Sequence, residues 1–64
     1  MSKPKCKLIG EDGNIFNLMG IAARTLKRNS QVDKANEMIH RITQGDVKSY
    51  HEALAIICEY VDVY

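Results

Sequence analysis

The sequence predicts a mainly α-helical single domain of β-α-α-α-β order, three helices packed with a small two-stranded ribbon. Three observations carry that expectation. Apolar residues recur at helical spacing over residues 15–28, 31–44 and 49–60. Residues that favour helix ends, Asn14, Asn29, Ser30, Gly45 and Ser49, stand at the borders of these segments. The short segments 6–9 and 61–64 are apolar and β-prone, and neither can satisfy its backbone alone, so each is the other's natural partner.

Residues 1–5 form a basic, proline-containing lead that is expected to fray. Residues 6–9 read as a strand with Cys6 and Leu8 on one side. Asp12 and Gly13 mark a tight turn, and Asn14 is suited to cap a helix, its side-chain oxygen accepting a first-turn amide. In the helix over 15–28, Ile15, Leu18, Met19, Ala22 and Leu26 share a face, with Phe16 and Ala23 on its shoulder. Arg24, Lys27 and Arg28 crowd its last turns, where cations meet the negative end of the helix dipole.

A helix over 31–44, capped by Ser30, carries a stripe of Val32, Ala35, Ile39 and Ile42 with Met38 at its edge. Glu37 and Arg41 are spaced for an exposed ion pair. Gly45 is placed to close the helix in the left-handed conformation. Asp46 begins a connector to a third helix over 49–60, opened by the capping-box spacing of Ser49 and Glu52. Tyr50, Ala53, Leu54, Ile57 and Val61 share one face, which Ile56, Cys58 and Tyr60 widen, so this most apolar helix is expected at the centre. Residues 61–64 alternate apolar and polar; continuation of the helix to the end is the rival reading.

Sixty-four residues, 45% hydrophobic and 27% charged, suit one small globular domain whose core gains from an outside partner. Nine basic residues against eight acidic ones leave a net charge of +1, which disfavours a global attraction to nucleic acid or to an anionic membrane. The polar start predicts no secretory leader, and the longest apolar run, 53–58, is six residues against the roughly 20 a membrane span needs. With Cys6 and Cys58 the only cysteines, a reduced, cytoplasmic protein is expected.

Few residues point to chemistry. Glu11 and Asp12 lack the further ligands a divalent ion needs, and Cys6, His40, His51 and Cys58 lack zinc-finger spacing, so neither a metal nor another cofactor is expected. The turn amides at Gly13 and Asn14 open onto a helix N-terminus, a geometry that binds phosphate or carboxylate, although the neighbouring carboxylates also suit the positive helix end by themselves. Arg24, Lys27 and Arg28, with Lys34 and Arg41 on the next helix, are the basic concentration, suited to a phosphate or to plain solvation. Tyr50 and Tyr60 offer stacking surfaces. Ile21, Ile56 and Tyr60 lie outside the narrow core stripes, and their burial between copies predicts a homo-oligomer.

The run Leu8-Ile9-Gly10-Glu11-Asp12-Gly13-Asn14-Ile15-Phe16, with the helical stretch 18–26, Gly45-Asp46 and the closing Glu59-Tyr60-Val61-Asp62-Val63, resembles a group of very small proteins from phages and mobile elements. The sharp motif is Gly-Glu-Asp-Gly-Asn-x-Phe, and the resemblance spans nearly the whole chain. It carries over no catalytic residue. It implies a short, virus-encoded accessory protein that acts by occupying a host enzyme, a nucleic acid or a nucleotide immune signal.

Together these readings predict a non-enzymatic protein that captures a ligand stoichiometrically as a homo-oligomer. A nucleotide-type defence signal would meet Gly13, Asn14, Arg24, Lys27 and Arg28 through phosphate and Tyr50 or Tyr60 through its base, with Ile21, Ile56 and Tyr60 between subunits. The alternative is an inhibitor that docks on a host protein through the apolar third helix. Nucleic-acid binding ranks third on charge.

Overall fold

The computed structural model describes residues 3–45 and 47–64; Met1 and Ser2 of the lead and Asp46 of the connector lie outside the described residues. The element order is β1 (Lys5–Cys6), α1 (Ile15–Arg28), α2 (Val32–Gln44), α3 (Tyr50–Tyr60) and β2 (Asp62–Val63). This is the mainly α β-α-α-α-β domain that the periodicity predicts. Both strands are shorter than expected, and Leu8 and Ile9 continue β1 only through their amides, which donate to the Tyr64 carbonyl at 2.8 and 3.0 Å. Among the described residues no helix is long and apolar enough to cross a membrane.

The two strands run parallel, with Lys5 opposite Asp62 and Cys6 opposite Val63. The three helices form the crossover between them, and β1 is tied to α1 by Thr25, which donates to the sulfur of Cys6 at 3.5 Å. Of the lead, Lys3 and Pro4 are held in place: the Pro4 carbonyl accepts the Asp62 amide at 2.8 Å, and Lys3 Nζ donates to the Cys58 carbonyl at 2.8 Å.

The core is assembled from Leu18, Ala22, Ala23 and Leu26 of α1, Ala35 and Met38 of α2, Ala53, Ile57 and Tyr60 of α3, and Cys6, Leu8 and Val61. Its most extensive packing joins α1 to α2, so α1 rather than the more apolar α3 is central. On α2 the buried line is turned toward Met38, leaving Ile39 and Ile42 half-buried and Val32 exposed. Ile21 and Ile56 are also half-buried and pack against the core, and Tyr60 is only 8% exposed. The surplus apolar surface expected at these three residues is therefore mostly absorbed within one copy.

The helix ends follow local chemistry, with three departures from expectation. Asn14 caps α1, its Oδ1 accepting the Phe16 amide at 2.9 Å. The tight turn, however, closes earlier: the Glu11 amide donates to the Leu8 carbonyl at 3.1 Å around Gly10, whose φ of 92° is costly for any side chain. Ser30 does not cap α2; it takes a φ of 61° and ends α1, its amide donating to the Lys27 carbonyl at 3.1 Å while Gln31 donates to Leu26 at 2.8 Å. That paired arrangement is a Schellman closure, which glycine usually occupies. Gly45 is extended rather than left-handed, and it is glycine for a different reason: a Cβ there would collide with the Arg41 carbonyl.

At the start of α3, Ser49 Oγ accepts the Glu52 amide at 3.2 Å, as the capping box requires. The return arm lands one residue early, Glu52 Oε2 accepting the Lys48 amide at 2.8 Å.

The two left-handed residues make opposite mutational expectations. Ser30→Gly removes the Cβ penalty at the α1 terminus and should raise stability by about 0.5–1 kcal/mol, the gain reduced by the greater freedom of glycine in the unfolded chain. Gly10→Ala should lower stability by roughly 1 kcal/mol. Urea unfolding followed by circular dichroism reads both, and shifts of the same sign would contradict the turn assignment.

Candidate functional site

The residues expected to hold a phosphate do not converge. The Asn14 amide is already taken by Asp12 Oδ1 at 3.0 Å, and Asn17 Nδ2 donates to the Asp12 carbonyl at 2.9 Å. A carboxylate of the chain itself thus already accepts the Asn14 amide that a bound anion was expected to meet. Arg24, Lys27 and Arg28 are exposed, but at the other end of the helix. At a rise of about 1.5 Å per residue, Arg24 lies roughly 15 Å along the axis from Asn14, beyond the span of one phosphate group. Lys34 and Arg41 lie in a separate cleft.

That cleft, of about 450 Å³, runs between Lys3, the face of α2 carrying Gln31, Lys34, Glu37 and Arg41, and the end of α3 at Glu59 and Tyr60. Its side chains are largely committed to one another. Arg41 does not pair with Glu37; its two terminal nitrogens donate to Glu59 Oε1 and Oε2 at 2.8 and 3.1 Å. It also donates to the Tyr60 hydroxyl at 3.1 Å, while that hydroxyl donates to Glu37 Oε2 at 2.6 Å. The forked contact with Glu59 holds the Arg41 pKa above its ordinary value and draws the Glu59 carboxyl below its own. Burial, then the hydrogen bond to Glu37, pushes the Tyr60 phenol up against the opposing influence of Arg41.

Tyr60 therefore fastens α3 to α2, and at 8% exposure little of it is left for the stacking and interface roles expected for it. Sequence spacing offers Arg41 a partner four residues back on its own helix. The partner it takes instead lies across the bundle at Glu59, which no local pattern reveals.

A second cavity, about 480 Å³, opens where α1 begins, α2 ends and α3 begins. Ile15, Phe16, Ile42, Val47, Tyr50 and Ala53 line it, together with the polar Thr43, Lys48 and Ser49. Phe16 is 65% exposed and Tyr50 44%. The Tyr50 hydroxyl donates to the Gly13 carbonyl at 2.6 Å, which pins Tyr50 to the loop before α1. Of the predicted site residues, the structure brings together Gly13 and Tyr50, through backbone and hydroxyl. Phe16, assigned to the shoulder of a core face, is instead the most prominent side chain at the opening.

Cys6 is buried, Cys58 is exposed, and both are free thiols. Among the described residues, no group of three His, Cys, Asp or Glu side chains is placed to hold a metal ion. No family model, curated protein or solved structure matches the chain.

The Tyr60 phenol gives the polar cleft a pH signature. A phenol that keeps its proton more tightly when folded contributes fully below its unfolded pKa of about 10, and that contribution is lost as pH rises through the raised folded value. Tyr60→Phe should lower stability at neutral pH by about 0.5–1.5 kcal/mol and flatten the alkaline loss of stability. Urea midpoints measured from about pH 8 to 11 test this, and equal alkaline slopes in the two proteins would contradict it.

Proposed function

We propose that this chain is a non-enzymatic binding protein that works by occupying a protein partner, received in the groove between the N-terminal ends of α1 and α3. The observation that carries the reading is Phe16, 65% exposed beside the half-exposed Tyr50 over a floor of Ile15, Ile42 and Ala53. Large aromatic walls around an apolar floor are what concentrates binding energy at protein interfaces, and covering one such ring is worth roughly 1.5–3 kcal/mol. The groove accepts an apolar side chain from a helical or extended segment.

Capture of a phosphate-bearing small molecule has weaker support, because the amide, the arginines and Tyr60 expected to share that ligand are apart or already engaged. The resemblance to small phage and mobile-element proteins fits occupancy of a host protein. A cytoplasmic setting belongs to the same proposal, since an exposed free Cys58 suits a reducing compartment.

A randomised peptide library selected on the immobilised protein should enrich aromatic, apolar sequences. Their affinity should fall about tenfold or more on Phe16→Ala and on Tyr50→Ala, the equivalent of about 1.4 kcal/mol. Peptides that bind both variants as well as the parent would remove the groove from consideration. A thermal upshift with nucleotides that disappears in an Arg24→Ala, Arg28→Ala variant would favour ligand capture instead.

A further inference from the structure

The outward ridge of α1 carries a pattern that the folded chain does not itself use. Gly20 sits in the helix interior, where glycine is a weaker helix former than alanine. Its φ is not positive, and a Cβ built there would meet nothing within 4 Å, so neither backbone conformation nor internal packing calls for glycine. Four residues before it stands the exposed Phe16, and four after it the exposed Arg24. Arg28 stands eight residues after it, and ahead of the helix, in the loop bonded to Asn17, is the exposed Asp12. Asp12 is held against the helix start by its bonds with Asn14 and Asn17.

Reversed end for end about Gly20, this ridge is complementary to itself. An antiparallel copy would bring the ring of Phe16 under Arg24 of the second copy and Asp12 beside Arg28 of the second copy, each contact occurring twice. A parallel arrangement would instead stack Arg24, Lys27 and Arg28 on their own kind. A nucleic acid would face the carboxylates of Glu11 and Asp12 at one end, and a wholly acidic surface would meet the same repulsion.

We propose that α1 packs against α1 of a second copy across a two-fold axis at Gly20, forming a dimer. The missing side chain lets the two helix backbones approach closely at the crossing, where any larger residue would hold them apart. The interface is isologous, so each favourable cross-pair is counted twice. Arginine over the exposed face of an aromatic ring and an arginine–carboxylate pair supply its specificity. The groove side of Phe16 stays open, so the dimer presents two grooves; this inference does not depend on what either groove receives.

One helix pair about 21 Å long is at the small end of specific interfaces, so a weak, reversible dimer is expected. Sedimentation equilibrium of the full chain should show reversible association from 7.2 kDa to twice that mass, weakening as salt is raised. Gly20→Leu, whose side chain enters open space in the single copy, should keep its helical circular dichroism and remain at 7.2 kDa. Phe16→Arg should also dissociate the dimer by facing Arg24 of the second copy with a like charge. The double variant Phe16→Arg, Arg24→Glu should restore it. A wild-type chain that stays single at millimolar concentration, a Gly20→Leu variant that dimerises as the parent does, or a double variant that stays single would each overturn the proposal.

Discussion

The pairing of the two chain ends is the constraint on which the rest of this small fold depends. A chain of this size has little core to spare, and a two-residue parallel ladder cannot stand without support. The ladder survives because each strand rests on something buried: Cys6 lies against Thr25 of α1, and Val61, fully buried, leads from α3 into β2. The amides of Asp62, Tyr64, Leu8 and Ile9 all find carbonyls across this seam. Hydrogen-bonding the ends together also requires the three helices to lead the chain back to where it began.

The side of the bundle between α2 and α3 is held differently, by polar contacts over half-buried apolar residues. Tyr60 stands at the boundary, its ring in the core and its hydroxyl between Glu37 and Arg41. The Arg41–Glu59 pair is largely exposed, so its direct contribution to stability is small. Its larger effect is positional: Arg41 is drawn across to α3, where its guanidinium lies 5.7 Å from the Tyr60 ring centre. Lys3 closes the same cleft by bonding the Cys58 carbonyl near the end of α3.

Apart from Val32, the large apolar side chains left uncovered lie on other parts of the molecule. Ile9, Phe16, Tyr50 and Tyr64 are exposed around the loop before α1, the start of α3 and the last residue of β2's extension. The ordered Asp12, Asn14 and Asn17 bonds and the Tyr50–Gly13 contact give that region a defined shape despite its lack of regular structure. A binding surface built on such a frame loses less conformational freedom on association than a mobile loop would. Gly20 lies on the same helix but on its outer ridge, where the fold asks for nothing.

Much of the architecture was legible along the chain because it is governed by local chemistry. The extent of α1, the cap at Asn14, the opening of α3 at Ser49 and the β-prone ends all follow from side chains acting on their own backbone or from a helical apolar period. Neither β-prone end could satisfy its backbone alone, which left pairing of the ends as the natural closure. What the sequence by itself could not determine was which face of each helix the others would cover, because a 3.6-residue period marks an apolar stripe only to within a neighbouring position. Tertiary packing decided that Met38 lies inside and Phe16 outside. It also sent Arg41 to Glu59 and buried Tyr60 against α2, contacts between residues whose proximity depends on how whole elements meet.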